Sequence, residues 1–130
     1  MTTPVASDLH QLEGLVRGYF SAVAERRWDD IIAMFHEDAT LTVPVVRPKY
    51  GHDRIRPFYV NIGDRYVRYR PTLHVVIPEG TIAQATASAT VELNAMTHEG
   101  RHVNNIAVDK FVIEDGRFRS LQIIFDTVPM

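Results

Sequence analysis

At 130 residues the chain has the size of one domain, and a composition of 45% hydrophobic and 23% charged residues excludes a disordered chain or a fibrous repeat. A formal charge of -2, with basic residues scattered along the chain, gives no electrostatic footprint for nucleic acid. The absence of cysteine rules out a disulfide framework, a thiolate nucleophile and any Cys-ligated zinc or iron–sulfur centre.

Residues Met1 to Asp8 show no basic region followed by an apolar core, and no uncharged run approaches the length of a membrane span. The expectation is a cytoplasmic protein without a membrane or nucleic-acid partner. No repeat, low-complexity tract or Ser/Gly linker interrupts the chain, so residues 1–130 read as a single domain.

In chain order, Ser7 or Asp8 caps a helix whose apolar positions Leu9, Leu12, Leu15, Val16, Tyr19, Phe20 and Val23 recur at intervals of three and four. Asp29 and Asp30 open a shorter helix through Ile31, Ile32, Met34 and Phe35, with acids where the helix dipole favours them. Ala39 to Val46 is β-rich, and Pro44, lacking an N–H, ends that strand or holds it at an edge. Pro48 and Gly51 mark a loop. Asp53 begins a third helix through Ile55, Phe58, Tyr59 and Ile62, which stops near Gly63. Four strands follow, Thr72 to Ile77, Thr81 to about Thr97, Val103 to Ile113 and Phe118 to Phe125, with turns at Pro78-Glu79-Gly80, Glu99-Gly100 and Asp115-Gly116. Helices first and antiparallel strands afterwards define an α+β fold, and a curled sheet under three helices encloses a conical pocket.

A two-residue turn at Glu99-Gly100 would pair His98 with Arg101 and place Asp109, Glu92, Asn94 and Met96 on one face of the sheet. Val91, Leu93, Ala95, Ile106, Val108 and Lys110 would take the other. Both faces are partly apolar, which points to a homodimer through the outer one. If the first face looks inward, its carboxylates would rather take up a proton than stay charged. The alternative puts Glu92 and Asp109 on a solvated strand face with Lys or Arg partners.

Further motifs carry a resemblance: Val16-Arg-Gly-Tyr19, the run from Trp28 to Pro44, Gly51 followed by Ile55-Arg-Pro-Phe-Tyr59, Ala107-Val-Asp109-Lys-Phe111, and Asp115-Gly116-Arg-Phe118. In these the chain resembles the ketosteroid isomerases of the nuclear-transport-factor-2-like superfamily, which also holds SnoaL-like polyketide cyclases and limonene-epoxide-hydrolase-type proteins. The resemblance implies a cystatin-like α+β barrel over nearly the whole chain. It implies an oxyanion hole made by Tyr19 and a protonated Asp109, with Tyr59 hydrogen-bonded to the tyrosine. The position of the isomerase base is Val43 here, and a valine accepts no proton. Glu92 is the replacement base expected from this comparison, and Asn94 orients the substrate. Val43, Phe58, Met96 and Phe125 complete the expected binding set. Asp126, at the end of the last strand, ranks below Glu92 because alternation turns it away from the pocket.

An oxyanion hole in an apolar chamber suits isomerisation, cyclisation, dehydration or epoxide opening of a hydrophobic steroid- or polyketide-like substrate, without a cofactor. A binding domain without catalysis is the other class of function open to such a chain. His36, His52, His74, His98 and His102 are dispersed and show no metal-ligand spacing, so no metal is expected. The string Arg65-Tyr-Val-Arg-Tyr-Arg70 reads as a packed connection between the third helix and the sheet, with an anionic-ligand site as its lesser reading.

Overall fold

A computed structural model describes residues 6–44 and 46–125, with Ala6 and Phe125 placed by their backbone alone. Helix α1 spans Ala6–Ala24 and α2 spans Trp28–Ala33. Strand β1 (Phe35–Thr42) and the short β2 (Lys49–Tyr50) lead into α3 (His52–Arg65). Four long strands follow: β3 (Tyr66–Gly80), β4 (Gln84–Thr97), β5 (His102–Glu114) and β6 (Arg117–Phe125). They form a six-stranded sheet in the order β2-β1-β6-β5-β4-β3, which curves but stays open, since β2 and β3 remain its edges. All neighbours run antiparallel except β1 and β6, which are parallel.

Helix α1 forms where the apolar stripe requires it. Leu12, Val16, Tyr19, Phe20 and Val23 are buried along one face, and the helix lies against β3 and β4. Each such side chain contributes about 2 kcal/mol by leaving water. The inner face of β4 carries Ala85, Ala87 and Ala89, all buried, whose small side chains leave room beneath the helices.

Helix α2 is shorter than its periodicity predicts. The Met34 N–H closes it on the Ile31 carbonyl, and Phe35 starts β1 instead, fully buried with its ring 5.3 Å from Phe118. Strand β1 likewise begins earlier and ends at Thr42, short of Pro44. Gly63 does not stop α3. The helix runs on to Arg65, and the glycine serves close packing: a Cβ there would meet the Trp28 ring at 2.8 Å. The end of α3 is held from α1's side by Arg26, in a left-handed conformation (φ 58°), whose guanidinium donates to the Gly63 carbonyl at 2.8 Å and the Tyr66 carbonyl at 2.7 Å. The string from Tyr66 to Arg70 is no connection but the first third of β3, paired with β4 from Tyr66 onward.

The two tight hairpins differ by one residue. Asp115 and Gly116 both take positive φ (50° and 77°) in a two-residue turn that pairs Glu114 with Arg117. Glutamate does not enter the left-handed region so easily, and at the β4–β5 hairpin only Gly100 does, at φ 86°. That turn takes in His98 as well: Thr97 and Arg101 close it, the Thr97 N–H donating to the Arg101 carbonyl at 2.9 Å. The register of β4 against β5 is thereby displaced by one residue from the sequence-based expectation, and Asp109 pairs with Ala89, Ala107 with Val91, and Asn105 with Leu93.

Candidate functional site

Helix α1 delivers Tyr19 and α3 delivers Tyr59, 2% and 1% exposed, and their hydroxyls meet at 2.7 Å. The Tyr19 ring is fixed edge-on by Phe20, Phe111 and Phe118, with centroids 4.9, 5.5 and 5.7 Å away. Strand β5 brings Asp109 to the same cavity. It is 3% exposed, and its Oδ1 is buried without a hydrogen-bond partner. Tyr69 enters from β3. The remaining walls include Phe20, Val23, Phe58, Ile62, Val91 and Leu93, around a cavity of about 40 Å³. That is well below the volume of ordinary small-molecule sites, so a ring-sized ligand enters only where the lining moves apart.

Burial sets the protonation states. It pushes the Asp109 carboxyl up to about 7, since no neighbour stabilises the anion. Tyr19 is held well above the ordinary phenol range by burial first, and then by the negative charges that Tyr59 and Asp109 can carry. Tyr59 and Tyr69 are raised mainly by burial too. Near neutral pH the cavity therefore offers neutral phenol donors beside a carboxyl poised between its two forms.

Of the residues singled out from sequence, the structure brings Tyr19, Tyr59, Asp109 and Phe58 together at this cavity. It separates Glu92, Asn94 and Met96 from them. The one-residue displacement at the β4–β5 turn puts these three on the opposite face, and Val91 and Leu93 take their place inside. Glu92 stands half-exposed on the outer face with its Oε1 3.5 Å from His74 Nε2, so it is not the cavity's base. Val43 is buried just beyond β1 but lines an outer groove and not the cavity. The side chain of Phe125 and the whole of Asp126 lie outside the described residues.

Tyr69 and Pro71 were missed. The signal was the alternation Tyr69, Pro71, Leu73, visible once β3 is allowed to start at Tyr66. His36, His52 and His98 are each hydrogen-bonded to a backbone carbonyl, of Glu114, Phe35 and Asp64. Among the described residues no group of three or more His, Asp or Glu side chains could hold a metal ion, and no helix is long and apolar enough to cross a membrane.

This pairing of an open sheet with an acid and a tyrosine dyad inside it defines a class of pocket protein, and the comparisons give its family. The pattern of the SnoaL-like domain matches residues 16–121, so the chain belongs to the SnoaL-like family. No curated protein matches the sequence significantly. Three solved structures share the fold. A candidate SnoaL-like polyketide cyclase from Jannaschia sp. CCS1 is 13% identical with a TM-score of 0.81, covering 96% of this chain and 92% of that one. An NTF2-like protein of unknown function from Burkholderia pseudomallei is 20% identical with a TM-score of 0.79, covering 90% and 92%. TerC, co-crystallised with polyporic acid, is 20% identical with a TM-score of 0.71, covering 90% and 92%.

Proposed function

We propose that this chain is a cofactor-independent enzyme of the isomerase or cyclase kind, moving a proton beside a carbonyl group of a hydrophobic ring substrate. The observation that carries this reading is the buried, unpartnered Asp109 carboxyl in one cavity with the Tyr19–Tyr59 pair. Asp109 is the sole carboxyl among the residues lining that cavity. In its ionised form it takes a proton from carbon next to the carbonyl, and Tyr19 donates a hydrogen bond to the oxygen as negative charge develops there. The proton is then returned to another carbon, or the enolate closes a ring. Tyr59 positions the Tyr19 hydroxyl.

Membership of the SnoaL-like family and the fold shared with a candidate polyketide cyclase support this reading. The cavity lining contains no Lys, Arg or His, which fits a substrate whose reacting part is uncharged. The test is exchange of the ring CH2 hydrogens of 2-tetralone in D2O, followed by proton NMR. The wild-type protein is expected to accelerate exchange and Asp109→Asn to abolish the acceleration. No acceleration by the wild type, with 2-tetralone shown to bind, would contradict the proposal.

We also propose that two copies pair through the outer sheet face. Val75 and Ile77 of β3, Ile106 of β5 and Ile124 of β6 are large apolar side chains 41% or more exposed there. An identical face on a second copy covers them symmetrically.

A further inference from the structure

Beside the cavity runs a second, open depression of about 1100 Å³, lined by one face of α3 and by the segment around β2. Arg54, Phe58, Asn61 and Arg65 recur along α3 at helical spacing and form one wall, and Arg47 and Lys49 stand in the other. Phe58, half-buried, lines both spaces, so it stands between the cavity and the open groove. The charges in the two spaces contrast. The cavity lining holds no cation, whereas the groove holds four, Arg47, Lys49, Arg54 and Arg65, against the carboxylates Asp53 and Asp64. Among the described residues none of the four cations makes an ion pair or a side-chain hydrogen bond. This positive excess lies across Phe58 from the cavity, in a chain whose net charge is -2.

We infer that the substrate is amphipathic: its uncharged ring enters the cavity past Phe58, and an anionic tail, carboxylate or phosphate, lies in the groove against Arg54. The inference rests on the cavity being the substrate site and adds the charge and the length of the molecule. A helix rises about 1.5 Å per residue, so Arg54 lies about 6 Å from Phe58 toward the start of α3, the end nearer Arg47 and Lys49, whereas Arg65 lies about 10 Å away in the opposite direction. The tail therefore places its charge about four to six bonds from the ring. Guanidinium groups give such an anion paired donors, and partial exposure makes the attraction sensitive to salt.

The experiment measures binding to the full chain by fluorescence titration of 2-naphthol, of 6-hydroxynaphthalene-2-alkanoic acids of increasing chain length, and of the corresponding methyl amides. A second arm replaces the carboxylate by a phosphate monoester. At low salt the acid or phosphate of matching length is expected to bind about tenfold tighter than its amide. That gain should vanish in roughly 0.5 M salt and in the variant Arg54→Glu, whose site is exposed, while 2-naphthol binds both proteins alike. Equal binding of acids, phosphates and amides, or a gain that survives charge reversal, overturns the anionic tail and leaves the cavity reading standing. If neither 2-naphthol nor any tailed compound binds, the cavity reading itself falls, and this inference with it.

Discussion

Asp109 and Glu92 stand on neighbouring strands of one sheet, yet on opposite faces, and they share little beyond a carboxyl group. Asp109 is 3% exposed, without a hydrogen-bond partner on Oδ1, and shifted to about 7. Glu92 has a side chain 37% exposed to water and a histidine beside it. The difference comes from the two-residue alternation of a strand, which sends one acid into an aromatic cavity and the other toward solvent. In the proposed chemistry, reactivity belongs to the face and not to the residue type, because desolvation raises a carboxyl toward the neutral range where it can act as a base.

The strongest way to break this contrast is to neutralise each acid in turn. Asp109→Asn should lower the rate of 2-tetralone exchange about a thousandfold, within the range for removal of a general base, while Glu92→Gln should leave it within about twofold. Loss of exchange in Glu92→Gln with its fold intact would contradict the assignment of faces.

Stability should respond to pH through the inner acid. Its folded value of about 7 lies above the ordinary 3.8, so between these values the native state binds more protons than the unfolded chain. The wild type is expected to lose stability as pH rises through that window, by up to about 4 kcal/mol, with the loss complete above the folded value. Asp109→Asn should flatten the dependence, as read from urea unfolding at a series of pH values. An unchanged slope would show that Asp109 is solvated.

A smaller effect is expected at the phenols. Tyr19→Phe should reduce exchange by about a hundredfold, as for loss of one oxyanion donor, and Tyr59→Phe by about tenfold, because Tyr59 acts through Tyr19. The reverse order would make Tyr59 the donor to substrate.

On the outer face, Ile106→Glu should shift sedimentation from dimer to monomer and leave the exchange rate per chain nearly unchanged. A wild-type chain that sediments as a monomer would remove the proposed interface.

Much of the fold could be read from residue spacing. The stripe from Leu12 to Val23 announced α1, and Asp115-Gly116 announced its hairpin, since both rest on local rules of helical period and left-handed turn residues. Tyr19, Tyr59 and Asp109 came from resemblance, and the structure places them in one cavity. The misplacement of Glu92, Asn94 and Met96 has a single cause. Glu99-Gly100 looks like a two-residue turn, but the backbone takes in His98, and a displacement by one residue exchanges the faces of β4. Tyr69 was hidden because Arg65 to Arg70 has the charge pattern of a connection. Its strand character comes from pairing with β4, a contact distant in sequence.

The most direct test is titration of the Asp109 carboxyl by carbon NMR in the wild-type chain labelled at aspartate, with Asp109→Asn to assign the signal. The expected midpoint is about 7, far from those of the exposed aspartates. A midpoint near the ordinary value of about 4 would mean a hydrated anion at position 109 and would contradict the proposed chemistry.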